Sequence, residues 1–307
     1  MLITGLLRLL LKDGRLARTF CSVVPGWPQS NNLRRDLLGA CDALPGVSTI
    51  EMSLSDVPQL PRTEQVLSGD EWYRALGLAD AKERVVGSLR SGALSDWGQS
   101  ILSRTAHGDR VLEVGSGTAE ISLALAKAGR LVTLLDVCPD CLRFAAECAE
   151  ELGIHVETVA ADAMQALPFS EGAFDCVWSS GLLEHFTQQE RLTMLREWTR
   201  VSRGKVVNFV PNAACLAYRL GKAKRERNGT WEFGRELPLY SMRPEFEAAG
   251  LAVAEELSVG PRHALSFFDA ESPVGAVLSR WLDAMPASQI DSINQGYLLL
   301  TVGVKGS

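Results

Sequence analysis

"VLEVGSGTAE", residues 111–120, sets an apolar run carrying one acid against two glycines with a single serine between them. A short apolar run that stops at G-x-G reads as a buried strand turning sharply into a helix. Glycine there accepts left-handed backbone and, having no Cβ, lets the main chain approach a ligand closely. Outward from this turn the same rhythm repeats. Apolar runs at 131–136, 155–162, 174–180 and 205–210 alternate with helical stretches at 118–129, 139–153 and 187–204. The third of these helices is well marked. Thr187 and Glu190 form a capping box, Leu192, Leu195 and Trp198 a stripe, and Gly204 is the expected stop. The second starts at Pro139, a favourable first-turn residue, and ends at Gly153.

Strand and helix in alternation predict right-handed crossovers and a mostly parallel sheet covered on both faces, a doubly wound α/β fold. After Pro211 the rhythm breaks, and 212–242 carries no clean period; it reads as an insertion over the functional edge of the sheet. A helix at 243–250, a strand at 251–259, a helical excursion and a strand at 296–305 complete an expected sheet of seven strands. Upstream, helical patterns at 71–90 and 93–106 follow proline-marked loops, and "STIEMSLS" (48–55) alternates like a short strand. The expected organisation is a mainly helical extension or lid over 1–95, a nucleoside-binding core over 96–210, a substrate-facing insertion over 211–244 and the remainder of the core over 245–307.

Composition narrows the function. The chain has 307 residues, 46% of them apolar and 22% charged, with a net charge of −6. That is ordinary globular composition, and the charge argues against a molecule built to sit on nucleic acid. Seven scattered cysteines (Cys21, Cys41, Cys138, Cys141, Cys148, Cys176 and Cys215) do not form a disulfide framework. They read as reduced thiols in a cytoplasmic protein. No run reaches the ~20 uncharged apolar residues of a membrane span. The first twenty residues, with Leu2, Leu6, Leu9 and Leu10 on one helical face and Arg8, Lys12, Arg15 and Arg18 on the other, read as a helix docked on the protein's own core; peripheral contact with a membrane is the alternative.

The acids near the glycine turn sharpen the reading. A dinucleotide fingerprint is G-x-G-x-x-G with pyrophosphate on the helix N-terminus, but here the third position is Glu120, whose charge repels a diphosphate. Glu113 precedes the turn, and Asp136 ends the second strand, where an acid accepts hydrogen bonds from ribose hydroxyls. A nucleoside with a cationic tail and no phosphate satisfies all three.

Residues 95–210 resemble the cofactor half of a class I S-adenosylmethionine-dependent methyltransferase, in the small-molecule subgroup that includes the ubiquinone and menaquinone biosynthesis enzymes. The resemblance is carried by "VLEVGSGTAEISLALAKAGRLVTLLDVCPDCLRFA" and "VAADAMQALPFSEGAFDCVWSSGLLEHF". It implies a Rossmann-like sheet and S-adenosylmethionine as methyl donor, with S-adenosylhomocysteine as product. It also implies roles: Gly115 and Gly117 cradling the methionine part, Glu113 near its amino group, and Asp136 on the ribose. Val137 and Cys138 would pack beside adenine, Asp162 and the Ala163 amide would bind the base, and Ser179 would line the methionine end. The segment "GLLEHF" matches the family's segment after the fourth strand and makes His185 the candidate general base, with Tyr240 and His263 as further candidates.

Trp231, Phe233 and Tyr240 are candidates to wall an aromatic or isoprenoid acceptor. "CPDC" (138–141) is one isolated pair and reads as incidental, and the basic run Arg219–Arg227 as a solvated helix face. No Asn/Asp-Pro-Pro-aromatic segment follows the fourth strand, which lowers a nucleobase substrate, and no acid cluster at metal spacing is legible, so no metal is expected. The sequence reading is methyl transfer to O, N or C of a small-molecule acceptor. Its rivals are a non-catalytic partner subunit that binds the cofactor or its product, and an NAD-dependent oxidoreductase.

Overall fold

A computed structural model describes residues 66–268, 272–290 and 293–306. The first-twenty-residue helix and the 48–55 strand of the sequence reading lie outside the described residues, as do Cys21 and Cys41. Seven strands form one sheet: β1 (Arg110–Val114), β2 (Leu131–Asp136), β3 (Glu157–Ala160), β4 (Phe174–Ser180), β5 (Ser202–Pro211), β6 (Leu251–Val259) and β7 (Leu298–Lys305). Their order is β3-β2-β1-β4-β5-β7-β6; the first five are mutually parallel and β7 runs antiparallel between β5 and β6. This is the expected Rossmann-like sheet. Strand order reverses between β1 and β4, which opens a crevice at the carboxyl ends of the strands.

The pleat sorts side chains between two layers. Val111, Cys176 and Val207 point into one cluster, built with Val85, Leu123, Leu125, Phe144 and Cys148 of the helices over that face. Their neighbours Leu112, Val177 and Val206 point into the other, with Met194, Leu195, Trp198 and Phe246. Because β1 and β4 bury both faces, they read as mainly apolar runs, Val111–Leu112 and Cys176–Trp178, rather than as alternations.

On the first face lie α1 (Gly69–Ala75), α2 (Lys82–Ser91), α3 (Asp96–Ser103), α4 (Glu120–Lys127) and α5 (Pro139–Leu152); on the second lie α6 (Gln188–Val201) and, past the insertion, α8 (Arg243–Ala248). The pattern at 71–90 is thus two helices. They are separated at Gly77, whose φ of +61° forbids helical continuation, and by a short 3-10 turn at Leu78–Asp80.

Two expectations need correction. Helix α6 has the predicted capping box, but Gly204 does not end it. The chain leaves the helix at Ser202, already in extended conformation, and Gly204 lies inside β5. Its lack of a side chain is needed there: a Cβ would stand 2.4 Å from the Asp175 carbonyl oxygen, where the β4–β5 register shifts. The insertion, which shows no readable period, contains a helix, α7 (Leu216–Arg227). Its buried stripe is Ala217, Tyr218, Gly221 and Lys222, so half of the inward face is a glycine and a lysine and the hydrophobic period does not register. Gly221 sits against Phe267, whose carbonyl oxygen would be 2.6 Å from an added Cβ.

Gly204→Ala is therefore expected to lower stability by about 1–3 kcal/mol, the usual cost of forcing atoms into a filled space. Urea unfolding followed by circular dichroism measures it, and a midpoint equal to wild type would contradict the close approach.

Candidate functional site

The first strand delivers the site. Its last residues are held by β2 and β4 on either side. Beyond Val114 the chain bends through Gly115 (φ +73°) and Gly117 (φ +48°) into Ala119, which also has a left-handed φ of +52°. Ala119 pays for that conformation with about 1–2 kcal/mol of local strain. The bend is pinned by the Gly115 amide donating to the Leu135 carbonyl at 2.8 Å. A Cβ on Gly115 would meet Leu182 at 3.1 Å, and one on Gly117 would meet Leu76, the C-cap of α1, at 3.2 Å. Backbone, not side chain, faces the crevice.

Asp136 locks this turn from the neighbouring strand. Its Oδ2 accepts from the Gly117 amide at 3.0 Å and its Oδ1 from the Cys138 amide at 2.9 Å. Each carboxylate oxygen retains further acceptor capacity. Val137 beside it is 58% exposed, an apolar surface on the rim. Asp162 is fixed by the Met164 amide donating to Oδ1 at 2.8 Å.

Together these residues line a cleft of about 320 Å³. Among the described residues its walls hold six carboxylates, Glu113, Glu120, Asp136, Asp162, Glu184 and Glu236, and neither lysine nor arginine. Glu113 is buried, and its Oε2 has no hydrogen-bond partner. Burial pushes its carboxyl well above the usual carboxylate range; the Ser122 hydroxyl offsets part of this and the charge of Asp136 adds to it. A cation placed beside Glu113 would recover the energy of ionising it. The donor set fits a phosphate-free nucleoside with a positively charged tail: a backbone cradle, a carboxylate at the end of β2 with acceptor capacity to spare, and an orphan buried acid.

The structure brings Glu113, Gly115, Gly117, Asp136, Val137, Asp162, Ala163 and His185 to this cleft, and leaves four predicted residues outside its lining. Ser179 is fully buried and donates to the Val114 carbonyl at 2.7 Å, tying β4 to β1; its neighbour Ser180 faces the cleft, because successive strand residues point to opposite sides. Cys138 is buried as the N-cap of α5, its sulfur accepting from the Cys141 amide. Tyr240 is 69% exposed. His263 stacks edge-on against Trp97, 4.9 Å between ring centres, behind the cleft wall.

His185 lies in a short 3-10 turn (Leu183–His185), buried beneath Trp72, whose ring centre is 4.8 Å away. Its Nδ1 donates to the Arg235 carbonyl, and the Arg235 guanidinium donates back to the His185 carbonyl at 2.8 and 2.6 Å. Burial pushes its pKa down to about 4, further lowered by the charges of Lys222 and Arg235 and only partly restored by the Arg235 and Gly181 carbonyls. An imidazole that weak is poorly matched to general-base work near neutral pH. Sequence reasoning missed Glu184 and Glu236 as cleft residues. They meet only because the insertion folds back, with the Leu237 amide donating to the Glu184 carbonyl at 2.9 Å. The five described cysteines are unpaired and buried, and no helix among the described residues is long and apolar enough to cross a membrane.

Residues 111–205, which span the glycine turn and the strands around the cleft, match the model of a methyltransferase domain. A class I S-adenosylmethionine-dependent methyltransferase domain occupies this segment. The domain is similar to an uncharacterized protein of Mycobacterium tuberculosis, 44% identical over 73 residues that cover 24% of this chain and 26% of that one. It is also similar to the demethylmenaquinone methyltransferase of Thermus thermophilus, 36% identical over 120 residues covering 36% and 53%. The matched part is thus between about a quarter and half of these relatives' length. Among solved structures, the [4+2]-cyclase SpnF shares the fold at a TM-score of 0.51 and 19% identity, over 81% of this chain and 97% of that one. The methyltransferase domain's cofactor is S-adenosylmethionine.

Ser179→Ala is expected to cost about 1 kcal/mol of stability through the lost hydrogen bond, with S-adenosylhomocysteine affinity within twofold of wild type. Calorimetric titration checks it, and a tenfold loss of affinity would put the hydroxyl in the cleft after all.

Proposed function

We propose that this chain transfers the methyl group of S-adenosylmethionine to a nucleophilic atom of a small-molecule acceptor. The observation that carries the proposal is the cleft itself: a backbone-lined turn and six carboxylates, with no lysine or arginine among the described residues that line it. Such a wall attracts a sulfonium and an ammonium and repels the pyrophosphate of a dinucleotide, so the oxidoreductase reading loses its support.

In this reading Gly115 and Gly117 offer amides and carbonyls to the methionine part, Glu113 compensates its ammonium, and Asp136 accepts from the ribose hydroxyls. Asp162 and the Ala163 amide recognise the base. Bound there, the sulfonium would supply an activated methyl carbon for the acceptor's electron pair, the S–CH₃ pair returning to sulfur to leave S-adenosylhomocysteine and any proton on the methylated atom being released to solvent. The chain's own contribution is alignment and exclusion of water, which together account for about 7–11 kcal/mol of barrier lowering in well-oriented reactions. Trp72 of α1, Leu76 at its C-cap and Phe233 of the insertion supply an apolar wall for the acceptor. Trp231 backs that wall, its ring centre 5.2 Å from Phe233's. We place the activity in the cytoplasm, as the reduced-thiol reading of the cysteines suggests.

Asp136→Ala removes two amide contacts and the ribose acceptor, each charge-assisted bond being worth about 1.5–3 kcal/mol. S-adenosylhomocysteine affinity is expected to fall at least tenfold, and wild-type affinity would mean that the ribose is held elsewhere. Release of S-adenosylhomocysteine from S-adenosylmethionine across a panel of hydroxyl, amine and activated-carbon acceptors tests the reaction. Tight cofactor binding with no turnover on any of them would favour the non-catalytic subunit instead.

A further inference from the structure

We propose that Glu184, His185 and Glu236 bind a divalent transition-metal ion, of the Mn²⁺ to Zn²⁺ class, at the side of the cleft built by the insertion. One carboxylate oxygen from each glutamate and one imidazole nitrogen lie within 4.8 Å of one another; Glu184 and His185 are buried, and the Glu236 side chain is 5% exposed. The separation between Glu184 Oε1 and His185 Nε2 is 3.8 Å. Ligand atoms about 2.0–2.2 Å from a shared ion sit about 3–4 Å apart, so small side-chain rotations close the site.

Three independent features point to a cation. The first is the imidazole. A carbonyl can only accept, so the contact with Arg235 puts the ring proton on Nδ1 and leaves the Nε2 lone pair unprotonated. A ligating histidine characteristically has its other nitrogen tied to a carbonyl or carboxylate in this way. Here the tie is doubled, because Arg235 also grips the His185 carbonyl.

The second is the charge balance. Each cation nearby already has an acid of its own: Lys222 has Glu226 at 2.9 Å, Arg191 has Glu245 at 2.8 Å, and Arg235 has Glu190 at 3.7 Å. Glu236 accepts from the Tyr218 hydroxyl and reaches Lys222 only at 3.9 Å. Among the described residues Glu184 therefore has no lysine or arginine paired with it, and Glu236 has only a long share of Lys222; a single divalent ion would neutralise both carboxylates. The third feature is Glu184 itself. It is 2% exposed, lines the cleft, and has an Oε2 with no hydrogen-bond partner. A buried carboxylate oxygen left unpaired is costly.

The ligand set decides the class of metal. Two carboxylates and an imidazole suit borderline first-row ions better than Mg²⁺ or Ca²⁺, which prefer oxygen alone. Three protein ligands leave coordination positions toward the cleft. Resting on the methyl-transfer reading, those positions would hold an oxygen of the acceptor, which narrows the substrate to molecules bearing a hydroxyl, carboxylate or enol oxygen near the atom methylated.

The test uses the full-length, tag-free chain without S-adenosylmethionine. Equilibrium dialysis against Co²⁺ and Zn²⁺, with the visible spectrum of the Co²⁺ form, is expected to give one saturable equivalent per chain. Glu184→Gln, Glu236→Gln and His185→Gln are each expected to weaken binding at least tenfold, and His185→Gln to shift the Co²⁺ bands by removing a nitrogen ligand. Circular dichroism of each variant establishes that it is folded; should none fold, the wild-type stoichiometry still decides. Uptake that does not saturate, or saturates equally in the folded variants, would overturn the site. A parallel titration with S-adenosylhomocysteine separates the two readings. A chain that binds the nucleoside but no metal loses only the metal site, and one that binds metal but no nucleoside loses methyl transfer.

Discussion

The carboxylate of Asp136, accepting at once from the amides of Gly117 and Cys138, is the contact on which the site depends. It joins the end of β2 to the turn after β1 and to the start of α5. Through it the sheet's crevice acquires a fixed wall. Gly115 and Ala119 remain in left-handed conformations because this clamp and the amide bonds to Leu135 over-determine them. The same carboxylate keeps acceptor capacity on the open side, so in the proposed reading one group both builds the wall and meets the ligand.

Electrostatics then select what the wall accepts. Carboxylates gathered in a partly desolvated cleft, with no lysine or arginine among the described residues that line it, create a potential that favours cations and punishes polyphosphates. The cost of burying Glu113, Glu184 and Glu236 is visible as carboxyl groups displaced upward from their ordinary range, chiefly by loss of water. Partners of opposite charge remove that cost. A sulfonium nucleoside on one side of the cleft and a metal ion on the other are complementary answers to the same surplus of acid.

Much of this was legible in the residues. The strands at 131–136, 174–180 and 251–259 coincide with the apolar runs because turn residues bound them tightly. Gly115, Gly117 and Asp136 could be placed because the carboxyl edge of a parallel sheet is fixed by topology, and Asp162 through the family resemblance. Other features depend on contacts that no local pattern encodes. Ser179 and Ser180 differ by one step of the pleat, and the register that buries the first comes from β1 and β5. Helix α7 hides because Gly221 and Lys222 occupy its inward face, for reasons set by Phe267 and Trp231. Glu184 and Glu236 lie about fifty residues apart and meet through a fold-back that follows no period.

The most direct trial of the account is a crystal structure of the chain grown with S-adenosylhomocysteine. The account predicts the homocysteine portion against the backbone of Gly115 and Gly117, its ammonium toward Glu113, and both ribose hydroxyls on Asp136. Density for the nucleoside in any other part of the molecule, or a ribose turned away from Asp136, would contradict it.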